Sequence, residues 1–479
     1  MKKLSCSIFL VFFVFGILLL SGCMVGPKYS KPETAADTND GFFNAGTHEQ
    51  NVTDFNEVDS WWERFGDETT AELVRRALEN NNDLKAAAAR VLQAQAVFKE
   101  NAGRRWPDVS YALNRDRSKR SFNFSGARFS SLSTTFSHDI SVVYILDFFG
   151  KLKRAQRAAW ADMLAAEANN QTLINSIIAS VIKARVDIAT NQRLLAIARA
   201  NTKSRQQTLE IVERRYGQGL VGPVDVRLAR ENLAFSKGNE PGLELSLAKA
   251  HYALDVLLGR RPGEGENLPE TLAELPNLAS VPIGLPVELL DRRPDIQAAE
   301  MSLKAANERI GVSVAQFFPD LTLTANLGNS ADRWRDIWKR ETETYSALMR
   351  LAQPIFKGGQ LTAQLNASKA RYAESAANYA NVVLNALKEV EDALISERML
   401  AEQLAHVRVR LTEALAAEDL SRERYERGVE GILTVLESER RWRIAENELA
   451  VLKGQIWTTR VNLFLALGGD WDKAEEIGK

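Results

Sequence analysis

Histidine and cysteine are scarce in this 479-residue chain, which holds four of the first and two of the second. His48, His138, His251 and His406 are scattered, without the spacing that metal ligands need. Phosphate-loop (G-x-x-x-x-G-K-[ST]) and nucleophile-elbow (G-x-S-x-G) motifs are missing. A formal net charge of −1 gives no electrostatic case for nucleic acid. No constellation of acid, base, nucleophile and metal ligands stands out, so we expect no catalytic residue, no metal site and no enzyme. Glycine and proline are missing in a more telling way: neither occurs from Lys151 to Tyr216 or from Gln360 to Arg427.

The chain also has little continuous apolar sequence. The clearest run, Ile8 to Leu20, follows Lys2 and Lys3 and is too short for a spanning helix, which needs about 20 residues. It fits the apolar core of a secretory signal. Leu20-Ser21-Gly22-Cys23 at its end resembles a bacterial lipobox, which implies cleavage before Cys23, an S-diacylglycerol on its thiol and an N-acyl group on its amine. Residues 1–22 are then the lipoprotein signal peptide. Met24, where an Asp favours inner membrane retention, implies passage to the outer membrane. Cys6 leaves with the signal, so Cys23 alone can form no internal disulfide. The covalent lipid on Cys23 is the only attached group expected, with no cofactor.

What is present is a duplication. Asp83-Leu84 and Pro107-Asp108 recur as Asp295-Ile296 and Pro319-Asp320, 212 residues on. Tyr216, Gly219 and Gly259 recur as Tyr425, Gly428 and Gly468, 209 residues on. Two copies of about 200 residues therefore fill nearly the whole mature chain. Each copy begins with a helix, predicted from roughly Glu68 to Arg104 and from Asp295 to Gln316. A pair of strands follows. In "DLTLTANLG", Leu321, Leu323, Ala325 and Leu327 share one face; in "SHDISVVYILDF", Ile140, Val142, Tyr144, Leu146 and Phe148 do.

The two runs without glycine or proline predict helices that reach about 100 Å if unbroken. In the second, Leu361, Leu365, Ser368, Tyr372, Ser375 and Tyr379 step by three and four, and Leu400, Leu404, Val407 and Leu411 resume the pattern. Small and polar seam residues suit broad packing against more than one neighbour. Gly219 and Gly428 mark the hairpin tips, Pro223 opens a return helix, and Lys237 to Gly242, with Pro241, predicts a kink or break in it.

Four amphipathic strands cannot form an open sheet in hydrocarbon, where every backbone polar group must be paired, and bacterial single-chain barrels start at eight strands. The chain either shares a barrel with copies of itself or does not span. The second alternative is a non-spanning periplasmic lipoprotein, a scaffold or adaptor built on long helical hairpins.

"CMVGPKYSKP", "WWERFGDETTAELVRRALENNNDL", "DFFGKLKRA", "VPIGLPVELLDRRPDIQAAE", "GVSVAQFFPDLTLTANLG", "PIFKGGQL", "ERYERGVEGILTVLESERR" and "LFLALGGDW" are spread from Cys23 to Trp471. In these stretches the chain resembles the TolC-type outer membrane factors, of the lipoprotein branch that serves resistance–nodulation–division (RND) efflux pumps. The resemblance implies a mainly α fold with a small β part. Duplicated long α-hairpins form a trimeric α-barrel, and four strands per chain enter a shared twelve-stranded transmembrane β-barrel. It implies a homotrimer lipid-anchored in and spanning the outer membrane, with a large periplasmic portion. Partners are a periplasmic adaptor (membrane fusion protein), an inner membrane RND transporter reached through it, and outer membrane lipid. The function implied is passive conduction of exported compounds from the periplasm to the exterior. On this pattern residues 23–60 are an extended equatorial segment, 61–260 the first repeat, 261–285 an equatorial linker, 286–469 the second repeat and 470–479 a tail.

The resemblance also implies working residues. Family carboxylates that ring the periplasmic entrance correspond to Thr434 and Glu437, one acid being replaced by a hydroxyl. Glu437 also has Arg440 and Arg441 within helical reach. A family tyrosine–aspartate latch corresponds to Tyr425 and Asp225, and an arginine of that latch to Glu430, a charge reversal. Trp334 and Trp338 fall between the strands of the second copy, as interfacial girdle or loop residues; Trp61 and Trp62 are expected to pack.

Overall fold

The computed structural model describes residues 24–36, 41–45, 61–124, 127–265, 267–270, 272 and 286–469. The signal segment, the lipidation at Cys23, most of 23–60 and the tail 470–479 lie outside the described residues. Two compact units emerge, one of residues 1–32, 90–167 and 298–379, the other of 33–89, 168–297 and 380–479. Among the described residues no helix is long and apolar enough to cross a membrane.

The first unit holds all four strands: β1 (Asp108–Phe124), β2 (Ala127–Leu146), β3 (Asp320–Ala331) and β4 (Glu343–Ala352). They form one antiparallel sheet in the order β1-β2-β3-β4, so the two copies meet where β2 pairs with β3. The register aligns like residues across the sheet. Val109, Val142, Ala325 and Ala347 make one row, and Tyr111, Ile140, Leu327 and Tyr345 the next on the same face. Between them, on the opposite face, runs Ser110, Ser141, Asn326 and Ser346. The period of two in the sequence is thus the partition of an apolar and a polar face. β2 stops at Leu146, and Phe148 belongs to the turn that follows, where its N–H donates to Leu146 O (3.1 Å). β1 and β4 are the edges, and all of β4 is exposed.

The residues after Cys23 are held beside the helical end of this sheet. Val25 N donates to Phe149 O (3.2 Å). Arg154 is buried and donates to Val25 O (3.1 Å), Pro27 O (2.9 Å) and Glu308 (3.0 Å). A buried guanidinium with carbonyl and carboxylate partners fixes geometry, because losing any partner strands a charge.

Helices supply the rest. α1 (Glu68–Asn80) and α2 (Asn82–Gly103) open the first copy, α5 (Leu289–Arg292) and α6 (Pro294–Ala315) the second. The single opening helix predicted for the first copy is broken at Asn81. Its buried side chain accepts from Asp83 N (2.8 Å) and Leu84 N (3.2 Å), the N-cap geometry that outcompetes continuation. Asn81 also donates to Leu257 O (2.8 Å), and its counterpart Arg293 donates to Ala466 O (2.9 Å). The duplication therefore extends to individual contacts.

The long helices are α3 (Lys151–Gly217) and α7 (Gln360–Glu426), each of 67 residues, with returns α4 (Pro223–Leu257) and α8 (Ile432–Ala466), each of 35. The α7 seam is as the spacing predicts: Leu361, Leu365, Ser368, Tyr372 and Ser375 are half-buried and Tyr379 buried. Val407 continues it against Leu452 and Ile456. The predicted break in α4 does not occur, since Pro241 lies inside the continuous helix. Lys237 to Asn239, Pro241 and Gly242 are exposed, so water can satisfy the carbonyl that loses its donor. Trp61 packs as expected, stacked on Phe464 (5.9 Å), while Phe65 stacks on Trp457 (5.4 Å).

Candidate gate at the hairpin tips

Both hairpins turn through the same device. Gly219 (φ 71°) and Gly428 (φ 78°) take the left-handed conformation that ends a helix. Leu220 N then reaches Arg215 O (3.0 Å) and Val429 N reaches Arg424 O (3.0 Å), satisfying carbonyls left over at the helix ends. Leu220 and Val224 on one tip, and their counterparts Val429 and Leu433 on the other, are exposed.

Inside the tips an apolar cluster joins all four helices: Val212 of α3, Val226 of α4, Tyr425 of α7, and Ile432 and Val435 of α8. The two copies differ here. Tyr425 is 4% exposed, whereas its counterpart Tyr216 is 48% exposed. Arg215 seals the asymmetry, with its guanidinium 4.7 Å from the Tyr425 ring centre and Nη1 donating to Tyr425 O (2.7 Å) and Glu426 O (3.3 Å). A cation at the carbonyl end of α7 is favoured by the helix dipole as well as by the ring. Arg215 was not singled out from the sequence. The signal was Arg424 at the equivalent position, which pairs instead with Glu430 (3.5 Å), whose own counterpart is the uncharged Val221.

The structure brings some of the sequence-predicted residues together and not others. Thr434 donates to Glu430 (3.0 Å), which brings these two sequence-predicted residues together. The Tyr425 hydroxyl is buried and has no hydrogen-bond partner among the described residues. Burial raises its pKa, against the lowering by Arg215, and the half-buried Asp225 carboxylate adds to the rise without bonding to it. Glu437 accepts from Arg440 (2.8 Å) and Arg441 (2.7 Å), and these bonds hold its carboxyl down at about 2. Glu437 thus presents two guanidinium groups with its one carboxylate.

Beyond the apolar cluster the same four helices bury a charged layer. Glu439 of α8 is 0% exposed, and among the described residues no donor completes a well-formed hydrogen bond to either oxygen. Burial pushes its pKa up, only partly offset by the Ser204 hydroxyl, Arg205 and Arg422, with Glu418 adding to the rise. Arg205 is turned to Asn232 O (2.8 Å), and Arg422 to Ser204 (3.1 Å) and Glu418.

Comparison with known proteins places these features in a family. Residues 73–260 and 285–469 match the outer membrane efflux protein family, one stretch per copy of the duplication. The pyoverdine export outer membrane protein OpmQ of Pseudomonas aeruginosa is 32% identical over 468 residues, covering 95% of each chain. The toluene efflux pump outer membrane protein TtgF of Pseudomonas putida is 29% identical over 459 residues, again 95% of each. The solved outer-membrane channel OprN superposes with a TM-score of 0.86 at 30% identity, over 94% of this chain and 100% of that one. With both copies matched and relatives aligned from end to end, the chain belongs to the outer membrane efflux protein family.

Proposed function

We propose that three copies of this chain close their sheets into one β-barrel and conduct exported compounds passively across the outer membrane. The chain is the outer membrane channel component of an efflux system, and three copies would make the complete channel. One observation carries it: a four-stranded sheet with an apolar face, a polar face and two open edges. In hydrocarbon those edges must be paired, and pairing β4 of one copy with β1 of the next closes a ring. The polar face, with Ser110, Ser141 and Asn326, then lines the lumen.

The exposed tip residues Leu220, Val224, Val429 and Leu433 would meet a periplasmic adaptor, and through it an inner membrane RND transporter. Tyr425 and Asp225 would latch neighbouring hairpins, because the Tyr425 hydroxyl has no hydrogen-bond partner among the described residues and the Asp225 carboxylate lies near enough to raise its pKa. Glu437, Thr434 and Glu430 would sit at the entrance, and Cys23 would carry the lipid anchor.

Cysteines at Ser110 and Ser346, on the two edges, test the ring. A short thiol crosslinker should yield covalent trimers from outer membrane fractions, and each single variant should yield none. Monomers throughout, with strands open to protease, would instead favour a non-spanning scaffold.

A further inference from the structure

The β1–β2 pair is longer than the sheet it belongs to. β3 pairs with β2 only as far as Phe136, so residues 127–135 of β2 pair with β1 alone and project as a two-stranded ribbon away from the helices. The eleven rows from Leu146 to Phe136 rise about 25 Å along the membrane normal at a typical strand tilt. Aromatic rings mark the far limit of this band. Trp334 lies 5.8 Å from Phe136, and Trp338 lies 4.5 Å from His138. The ribbon therefore begins where an apolar band of membrane height ends.

Register places its charge on one face. Continuing the apolar face past Leu113 come Arg115, Arg117 and Lys119, with Arg128 paired across from Asn123 on the same face. All four are exposed, and no acid shares this face of the ribbon. Arg115 lies over the Phe136 ring at 5.5 Å. The opposite face of β1 carries Asn114, Asp116, Ser118 and Arg120, which sum to zero. The neighbouring β3–β4 connection mixes both signs and pairs Lys339 with Asp336 (2.6 Å). Charge placed only for solubility has no reason to choose a face. Here the excess lies on the lipid side, directly beyond the aromatic level, where headgroups are met.

We propose that this face of the ribbon is a docking surface for phosphate-bearing lipid headgroups of the outer leaflet. The inference rests on the reading that the sheet spans the membrane. Guanidinium and ammonium groups on alternate strand positions, about 7 Å apart, suit the spaced phosphates of a diphosphorylated glycolipid. A single free phosphate could bridge only one such step.

The test uses purified full-length trimers in nanodiscs of phosphatidylcholine, titrated with lipid A, with its dephosphorylated form, or with inorganic phosphate. Wild type should bind lipid A and should show little response to the other two. The Arg117→Gln/Lys119→Gln/Arg128→Gln variant should bind lipid A more weakly by roughly a hundredfold, about fivefold for each cation lost. Arg120→Gln, on the other face, should bind like wild type. Equal binding by the triple variant, equal loss in Arg120→Gln, or indifference to dephosphorylation would overturn the proposal while leaving the barrel intact. A response to inorganic phosphate as strong as that to lipid A would overturn it in favour of a free-anion site. Wild-type chain that forms no trimers in any bilayer would remove both the barrel and the proposal.

Discussion

Tyr425 shows how much one side chain of the tip carries. Its ring is fixed by the apolar cluster and by Arg215, while its hydroxyl is left without a hydrogen-bond partner among the described residues. Removing a buried, unpartnered hydroxyl should scarcely change the stability of the subunit. If that hydroxyl bonds Asp225 of the adjacent hairpin when the tip closes, the bond is to a charged group and contributes about 1.5–3 kcal/mol in each of three copies. Tyr425→Phe/Asp225→Ala trimers should therefore conduct more than wild type in planar bilayers without adaptor; unchanged conductance would mean that no latch operates. Glu439 gives a pH signature of the opposite kind. Its folded pKa lies above the ordinary 4.5, so its contribution to stability is full below 4.5 and is lost as pH rises through the raised value. Glu439→Gln should flatten that dependence and raise the melting temperature at pH 7 relative to wild type. A variant with the wild-type slope would exclude Glu439 as its source. The pairing of Glu437 with Arg440 and Arg441 was legible in their spacing. The position of Arg215 was not, because it caps a helix 210 residues away and only tertiary structure shows which carbonyls it reaches.

Among the elements, β2 and β3 were the easiest to read, since each alternates cleanly. β1 was not, because Arg115, Asp116, Arg117, Lys119 and Arg120 hide the period of two behind charge that belongs to the ribbon beyond the apolar band. The long helices were legible from missing glycine and proline. Asn81 and Pro241 misled in opposite senses, one ending a helix by its side chain and the other failing to end one because its surroundings are wet. The same sheet supplies a sharp comparison between adjacent positions. Val142 lies in an apolar row and Ser141 in a polar one. An arginine on the lipid face at mid-membrane costs about 2–4 kcal/mol. Val142→Arg should lower the yield of heat-resistant trimers in outer membrane fractions well below that of Ser141→Arg. Equal yields would place this segment out of the membrane.

For the whole molecule, attachment and folding are separate. The backbone next to Cys23 is held by Phe149 and Arg154 whether or not the thiol carries a lipid. Cys23→Ser should therefore abolish labelling by radioactive palmitate yet leave assembled channel in the membrane; labelling that persists would refute the assignment of Cys23. The open edges at β1 and β4 have a kinetic consequence. A lone subunit in the bilayer carries two rows of unpaired peptide groups, and so does a pair of subunits, since joining two edges always leaves two others. In a three-copy ring the first pairing therefore removes two of six open edges, and the third subunit removes the remaining four at once. Insertion and association should behave as one concerted event, steeply dependent on subunit concentration, with no stable dimer to be trapped along the way.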